Sequence, residues 1–262
     1  MPIAKLDRTV ISIAGENPET FLSGLISNSL KDDITFAALL TPQGKIIADF
    51  FVIKDGERLL IDTPAKFSAD LMKRLKMYKL RAKIDLAFCD DLEVYAAWDG
   101  TGDEGFADPR HDRLGRRIVG TYMETTASPD EYNKHRLSLG IPDSHWDFDT
   151  VTTFPANANM DLLSGVDFQK GCFVGQEVVS RMHRKTNVRK RMQSFTATGP
   201  VTPNSPLMCG LVNVGTVMSI QGHAGMAMIR EDRLPETAER ADIIAGDAVV
   251  TLTERAYAAS PK

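Results

Sequence analysis

Cysteine is scarce in this 262-residue chain: Cys89, Cys172 and Cys209 are the only three, and no two lie closer than 37 positions. An odd, sparse set excludes a disulfide scaffold, and without any Cys-x-x-Cys pair the usual zinc and dithiol signatures are absent. Long apolar runs are missing as well, since nothing approaches the ~20 residues of a membrane-spanning helix. The first twenty residues carry Asp7, Glu16 and Glu19 and no continuous apolar stretch. Neither a signal peptide nor a transit peptide is read there. These absences predict a soluble, thiol-reduced, monomeric intracellular protein with no membrane partner. It would be cytoplasmic, or located in the mitochondrial matrix if the source is eukaryotic.

One further absence is local. The 53 residues from Val178 to Arg230 contain no Asp or Glu, yet hold Arg181, Arg184, Lys185, Arg189, Lys190, Arg191 and Arg230. A +7 window in a chain of net charge −4 invites an anion, whether phosphate, RNA or a polycarboxylate tail. A solvated basic face balanced by the acidic remainder is the plainer alternative.

What is present is the composition of a folded protein: 43% hydrophobic and 25% charged residues, enough for one large or two modest domains. Val10–Ala14 reads as a strand. Asn17 then offers an N-cap, Pro18 a first helical position, and Phe21, Leu22, Leu25, Ile26 and Leu30 recur at helical spacing, predicting a helix over 18–30. Phe36–Leu40, Lys45–Ile53 and Arg58–Ile61 read as three strands separated by Thr41-Pro42-Gln43-Gly44 and Lys54-Asp55-Gly56-Glu57 turns. A helix follows from Ala65, then strands around Ile84–Phe88 and Leu92–Trp98. Ser128 opens a further helix that Gly140 and Pro142 close. From residue 192 to 255 short β-type runs alternate with Gly, Pro and Asn, with a helix suggested only at Glu236–Ala241. The predicted architecture is α+β, a domain over 1–190 followed by a small antiparallel β-barrel over 191–262.

The segment richest in chemistry is Asp167-Phe168-Gln169-Lys170-Gly171-Cys172-Phe173-Val174-Gly175-Gln176-Glu177. A thiol in a glycine-flanked turn just ahead of a helix feels unpaired N–H groups, and Lys170 and Arg181 add positive charge. Such surroundings favour the thiolate, the nucleophilic and metal-ligating species. A buried structural thiol is the competing reading, and it is the one that suits Cys89 and Cys209. Gly171 and Gly175 read as backbone devices around the thiol, and Gln176 and Glu177 as first-turn residues of the helix.

The string Lys170-Gly171-Cys172-Phe173-Val174-Gly175-Gln176-Glu177 resembles the K-G-C-Y-x-G-Q-E signature of the YgfZ-type folate-binding proteins, relatives of the glycine cleavage T protein (aminomethyltransferase). Phe173 stands where the family has Tyr, so no phenol hydroxyl is available. Phe21–Asn28, Leu40–Lys45, Arg136–Pro142, Phe154-Pro155 with Ala158–Asp161, and the Val214–Ser219 and Gly225–Met228 strands resemble other family elements. The resemblance therefore covers most of the chain. It implies a ring of α/β subdomains around a central pterin site followed by the barrel, with Cys172 near that site. It implies further a tetrahydrofolate-binding accessory protein that supports assembly or repair of iron–sulfur enzymes, with iron–sulfur client or assembly proteins as partners.

Against the T-protein pattern, Ala48 replaces the first Asp of an Asp pair and Asp49 keeps the second, Ser138 replaces a folate-contacting Glu, and the cysteine is added. Glycine-cleavage activity is therefore not expected. Asp49 shares a strand face with apolar residues including Phe51, and a carboxylate on such a face is either paired or functional. The expected catalytic set is Cys172, Lys170 and Asp49. The expected folate-binding set is Asp49, Phe51, Asn159, Lys170, Gln176, Glu177 and Arg181, and no resident metal site is expected. Two alternatives stay open: a one-carbon transferase, and a tRNA-modification-related factor binding RNA through residues 181–191.

Overall fold

A computed structural model describes residues 1–185, 188–235, 242–255 and 257, with the side chain of residue 185 left aside. The suggested helix at Glu236–Ala241 lies outside the described residues. A five-stranded antiparallel sheet runs in the order Ile34–Leu40, Ile46–Asp55, Arg58–Pro64, Arg8–Gly15, Ile84–Phe88. Its first two strands are buried on both faces, which is why they read as continuous apolar runs. Successive side chains point to opposite faces, so Phe50 and Val52 join one core while Phe51 and Ile53 join another.

Four α-helices lie among the described residues: α1 (Pro18–Ser23), α2 (Ala65–Lys79), α3 (Pro129–Ser138) and α4 (Gln176–Lys185). Helix α2 covers the Phe50 face through Leu71, Met72 and Leu75. Helix α1 is shorter than its periodicity predicts. It stops at Ser23, because Ile26 leaves the helix to pair with Leu39, and the Ser27 N–H donates to Ala38 O. The apolar spacing of 25–30 therefore serves a bridge to the sheet. Asn17 is left-handed (φ 55°) and makes no side-chain cap, because a capping side chain requires the extended backbone.

A second, four-stranded sheet orders Ile3–Lys5, Glu93–Ala97, Arg116–Gly120, Phe106–Ala107. Helix α3 packs near it, opened by a capping box in which Ser128 and Glu131 bond reciprocally. The Arg136–Pro142 element is a structural device. Arg136 Nη1 donates to Ile141 O at 2.9 Å across the turn that Gly140 makes at φ 73°. The chain ends in a closed antiparallel barrel of six strands, ordered Lys190–Ala197, Ala224–Arg230, Val212–Gln221, Pro206–Cys209, Ile243–Ala245, Ala248–Leu252. Phe195, Leu207, Val214, Val217 and Ile229 fill its interior. The small antiparallel barrel read from the sequence is thus observed.

Between the two sheets the interior is ionic. Asp62 accepts from Arg8 and from Arg117 (2.8 Å), Arg117 reaches Asp108 (3.5 Å), and Arg110 bridges Asp108 (2.8 Å) and Asp143 (3.4 Å). These guanidinium groups surround the Phe51 ring, with Arg117 at 3.9 Å, Arg110 at 4.9 Å and Arg8 at 5.5 Å from its centroid. Beside this network Arg136 and Asp147 form a second pair with both side chains fully buried, and Ser219 of the barrel donates to the same carboxylate. Removing one member of a buried pair strands the other charge, at a cost of about 3–5 kcal/mol. Arg136→Met should lose about that much in urea unfolding; a loss below about 1 kcal/mol would show that Asp147 is compensated otherwise.

Candidate functional site

Cys172 is exposed, while Cys89 and Cys209 are half-buried in strand surroundings. It stands on the wall of an open trench of about 530 Å³ formed by α1, Ser29–Lys31 and the signature Lys170-Gly171-Cys172. Lys170 holds the two walls together. Its ammonium donates to Ser23 O (2.7 Å), Ile26 O (2.8 Å) and Asn28 O (3.0 Å). The last carbonyls of a helix have no partner inside the helix, and here the lysine supplies one for the end of α1. All three of its N–H bonds are thereby used. Burial pulls its pKa down to about 8, with Asp167 opposing the shift. Lys170 thus fixes the backbone two residues before Cys172 to the α1 wall.

The rest of the signature supports this placement. Gly175 adopts φ +82°, and a Cβ there would meet Thr41 O at 2.6 Å, so the glycine lets the turn before α4 press onto the hairpin. Gly171 has open space around it and no positive φ, so the device expected at that position is absent. Phe173 is buried with the Lys170 ammonium 5.3 Å above its ring. Gln176 Nε2 donates back to Lys170 O at 3.4 Å. Glu177 is exposed in the first turn of α4, where a carboxylate complements the helix dipole, and Arg181 is exposed one turn on.

The trench opens toward a second hollow of about 660 Å³, with Ser29 and Lys31 lining both. Ser29 and Lys31 bond Asp167 at 2.5 and 3.2 Å. The Ser29 hydrogen bond leads the causes that hold this carboxyl down at about 2, against some burial. Deeper in, Thr35, Phe36 and Phe168 line the wall, and Phe168 stacks on His183 at 3.8 Å. The Thr35 hydroxyl is buried and has no hydrogen-bond partner among the described residues.

The other expected site residues lie elsewhere. Asp49 and Phe51 sit in the ionic junction, away from the trench. Asp49 accepts a hydrogen bond from Ser144 and neighbours Asp143. Its carboxyl is raised above the ordinary range first by burial and then by Asp143, against smaller opposing effects from Ser144 and Arg8. Burial pushes the Asp143 carboxyl the same way, but Arg110, Arg8 and Arg136 outweigh it and hold that group well below the ordinary range. Three guanidiniums (Arg8, Arg110, Arg117) face four carboxylates there, and Asp49 is the one without an ion-pair partner among the described residues. A cavity of about 100 Å³ bordered by Arg8, Tyr132, Asp143 and His145 adjoins this junction. Asn159 is fully buried and ties the barrel to the first domain, donating to Met192 O (2.8 Å) and Tyr257 Oη (2.9 Å). The structure thus brings Lys170, Cys172 and Gln176 together and separates them from Asp49, Phe51 and Asn159. Ser144, Asp143, Lys31 and Thr35 were not singled out from the sequence. Only the cluster of polar residues in Asp143-Ser144-His145 after the Gly140 turn hinted at the first two.

The basic window is divided as well. Arg191 is largely buried and bidentate to Asp161 (2.7 and 2.8 Å), and Arg230 pairs with Asp232 at 3.0 Å. Only part of the +7 charge faces solvent unpaired.

Residues 189–259 match the family described as the CAF17 C-terminal beta-barrel domain. The iron–sulfur cluster assembly factor IBA57 homolog, mitochondrial, of Mycosarcoma maydis is 31% identical over 233 residues, covering 76% of this chain and 58% of that protein. The protein of the same name from Pyricularia oryzae is 33% identical over 212 residues, covering 71% and 54%. The chain therefore spans little more than half the length of these curated relatives. Among solved structures, the glycine cleavage system aminomethyltransferase T from Bartonella henselae superposes with a TM-score of 0.75 at 13% identity, over 97% of this chain and 85% of that one. At that identity the likeness establishes the fold.

Two outcomes follow from the geometry. A carboxyl whose pKa is raised by folding binds its proton more tightly in the native state, so its contribution is present at low pH and lost as pH climbs through the native value. Asp49→Asn should therefore unfold at higher urea than the parent at pH 7, with the gap closing as pH falls toward the ordinary 3.8; a gap unchanged with pH would refute the assignment. Gly175→Ala should lose about 1–3 kcal/mol through strain and the Thr41 contact, and should alter the alkylation rate of Cys172. Gly171→Ala should change neither, and equal effects of the two substitutions would remove the special role of Gly175.

Proposed function

We infer that the chain is a homologue of the IBA57 iron–sulfur cluster assembly factors, with a CAF17-type C-terminal barrel on the fold of the glycine cleavage T protein. We propose that it is an accessory protein in the assembly or repair of iron–sulfur enzymes, acting through Cys172 at the trench. The observation that carries this reading is an exposed thiol on a wall fixed by three lysine-to-carbonyl hydrogen bonds. A cluster needs four ligands, and no three His, Cys, Asp or Glu side chains converge on a metal site among the described residues. Cys172 therefore works with a partner. It releases its proton to solvent, and the thiolate fills one coordination position on a cluster whose other ligands belong to an assembly or client protein. The compartment is the one where iron–sulfur enzymes mature, the matrix in a eukaryote and the cytoplasm in a bacterium.

Tetrahydrofolate is proposed as the ligand of the adjoining hollow. The fit rests on the unpartnered Thr35 hydroxyl and on the half-buried Phe168 ring, backed by His183, beside Gln169, which together offer an aromatic face and hydrogen bonding to a flat heterocycle. When bound, a reduced folate supplies one-carbon or reducing chemistry. The chain's own residues hold its ring and keep the thiol at the mouth. Asp49 serves this function indirectly, as a buried group of the junction.

Cys172→Ser should abolish support of an iron–sulfur enzyme in vivo and cluster transfer in vitro, while moving stability by less than about 0.5 kcal/mol. Full activity of this variant would overturn the thiol's role. In a titration of tetrahydrofolate onto the full chain, Phe168→Ala should weaken binding roughly ten-fold, the loss of one stacked aromatic contact of about 1.4 kcal/mol. Asp49→Asn should leave it unchanged, and the opposite pattern would move the ligand to the ionic junction.

A further inference from the structure

Beside Met182 of α4 lies another open cleft of about 600 Å³, between Lys45, the Thr152–Phe154 loop and the barrel. Its rim is basic, from Lys45, Arg189, Lys190 and Arg230, and its floor is made of Met182, Met218 and Met228. Arg230 is committed to Asp232. Among the described residues, neither Arg189, Lys190 nor Lys45 has a carboxylate within ion-pair distance. The Lys45 ammonium donates to Thr152 O at 2.6 Å and sits 3.3 Å from the centre of the Phe154 ring. Burial first, and then the Lys190 charge, lowers its pKa. Asp232, paired with Arg230, also feels the Arg189 charge, but Lys45 and Lys190 remain like charges held close, a cost that an arriving carboxylate removes.

We propose that this cleft docks an acidic, leucine-type amphipathic segment of a partner protein, its carboxylates meeting Lys45, Arg189 and Lys190 and its aliphatic side chains settling on the three thioethers. Methionine suits such a floor because its unbranched, polarizable chain conforms to varied apolar shapes. Nucleic acid fits poorly: base stacking needs a free aromatic face, and the one ring here, Phe154, is covered by Lys45. A small inorganic anion would leave the apolar floor unused. The thiol of Cys172 does not line this cleft.

Recognition of this kind depends on charge and apolar spacing, so a model peptide tests it. The full chain, carrying ¹³C-methyl methionine, would be titrated at physiological salt with a twelve-residue peptide of Glu and Leu at helical spacing. The Met182, Met218 and Met228 methyl signals should move, while those of Met192 and Met226, buried in the core, stay put and report an intact fold. Arg189→Glu with Lys190→Glu, both at exposed positions, should weaken binding at least about ten-fold, a change of ~1.4 kcal/mol. The proposal falls if the floor methyls do not respond up to about 1 mM peptide, if a Gln-for-Glu peptide binds equally well, or if a twelve-nucleotide single-stranded RNA binds more tightly.

Discussion

The buried ion network around Phe51 is the constraint from which the rest of the molecule takes its form. It joins Arg8 and Asp62 of the five-stranded sheet to Arg117 of the four-stranded sheet, and through Arg110 and Asp108 to Asp143 after α3. Ionic contacts of this depth contribute little net stability, because desolvation offsets the Coulomb gain. What they impose is geometry: each carboxylate must find its guanidinium or remain charged and unpaired in the interior. Sheets and helix can therefore meet in one arrangement only. The large hollows lie outside this packing, one beside α1, one lined by Thr35, Phe36, Pro109 and Phe168, and one beside the barrel.

At one of those margins the placement of Cys172 rests on Lys170. A lysine whose three N–H bonds all end on backbone carbonyls is a fixed strut, unlike the mobile charge that a surface lysine usually is. Its burial has an electrostatic cost, visible in the pKa of about 8, and the three hydrogen bonds offset it. The result is a thiol exposed to solvent on a wall that does not move freely. The proposed role of Cys172 as a cluster ligand rests on those two properties.

Local features of the fold were legible in the sequence, and long-range ones were not. Alternation and turn residues located the strands of the first sheet and the barrel, and the Ser128 and Glu131 pair located α3, because each signal is written within a few residues. The length of α1 was misread because the spacing of Leu25 and Ile26 fits a helix as well as a bridge, and only Leu39 decides between them. The Lys170-Gly171-Cys172 string marked the site as a motif. The carbonyls that Lys170 binds lie more than 140 residues away and could not be read from it. Asp49 stands out in the sequence as a carboxylate on an apolar face, whereas Ser144, which donates to it, is 95 residues distant and could not be read from it.

The acid-free window of 178–230 shows how a single compositional signal can serve several physical ends. Arg191 is used up locking the barrel to Asp161, the closing contact of the two-part chain. Arg230 is neutralised by Asp232 two residues on, just beyond the window. Only the charges left after these structural debts, Arg189 and Lys190 with Lys45 from a distant hairpin, face a cavity without carboxylates, and there they are joined by thioethers. A uniform basic face would attract any polyanion, whereas paired positions and an apolar floor narrow the partner to one with both negative charge and aliphatic bulk. Cys172 is not among the residues that line that surface.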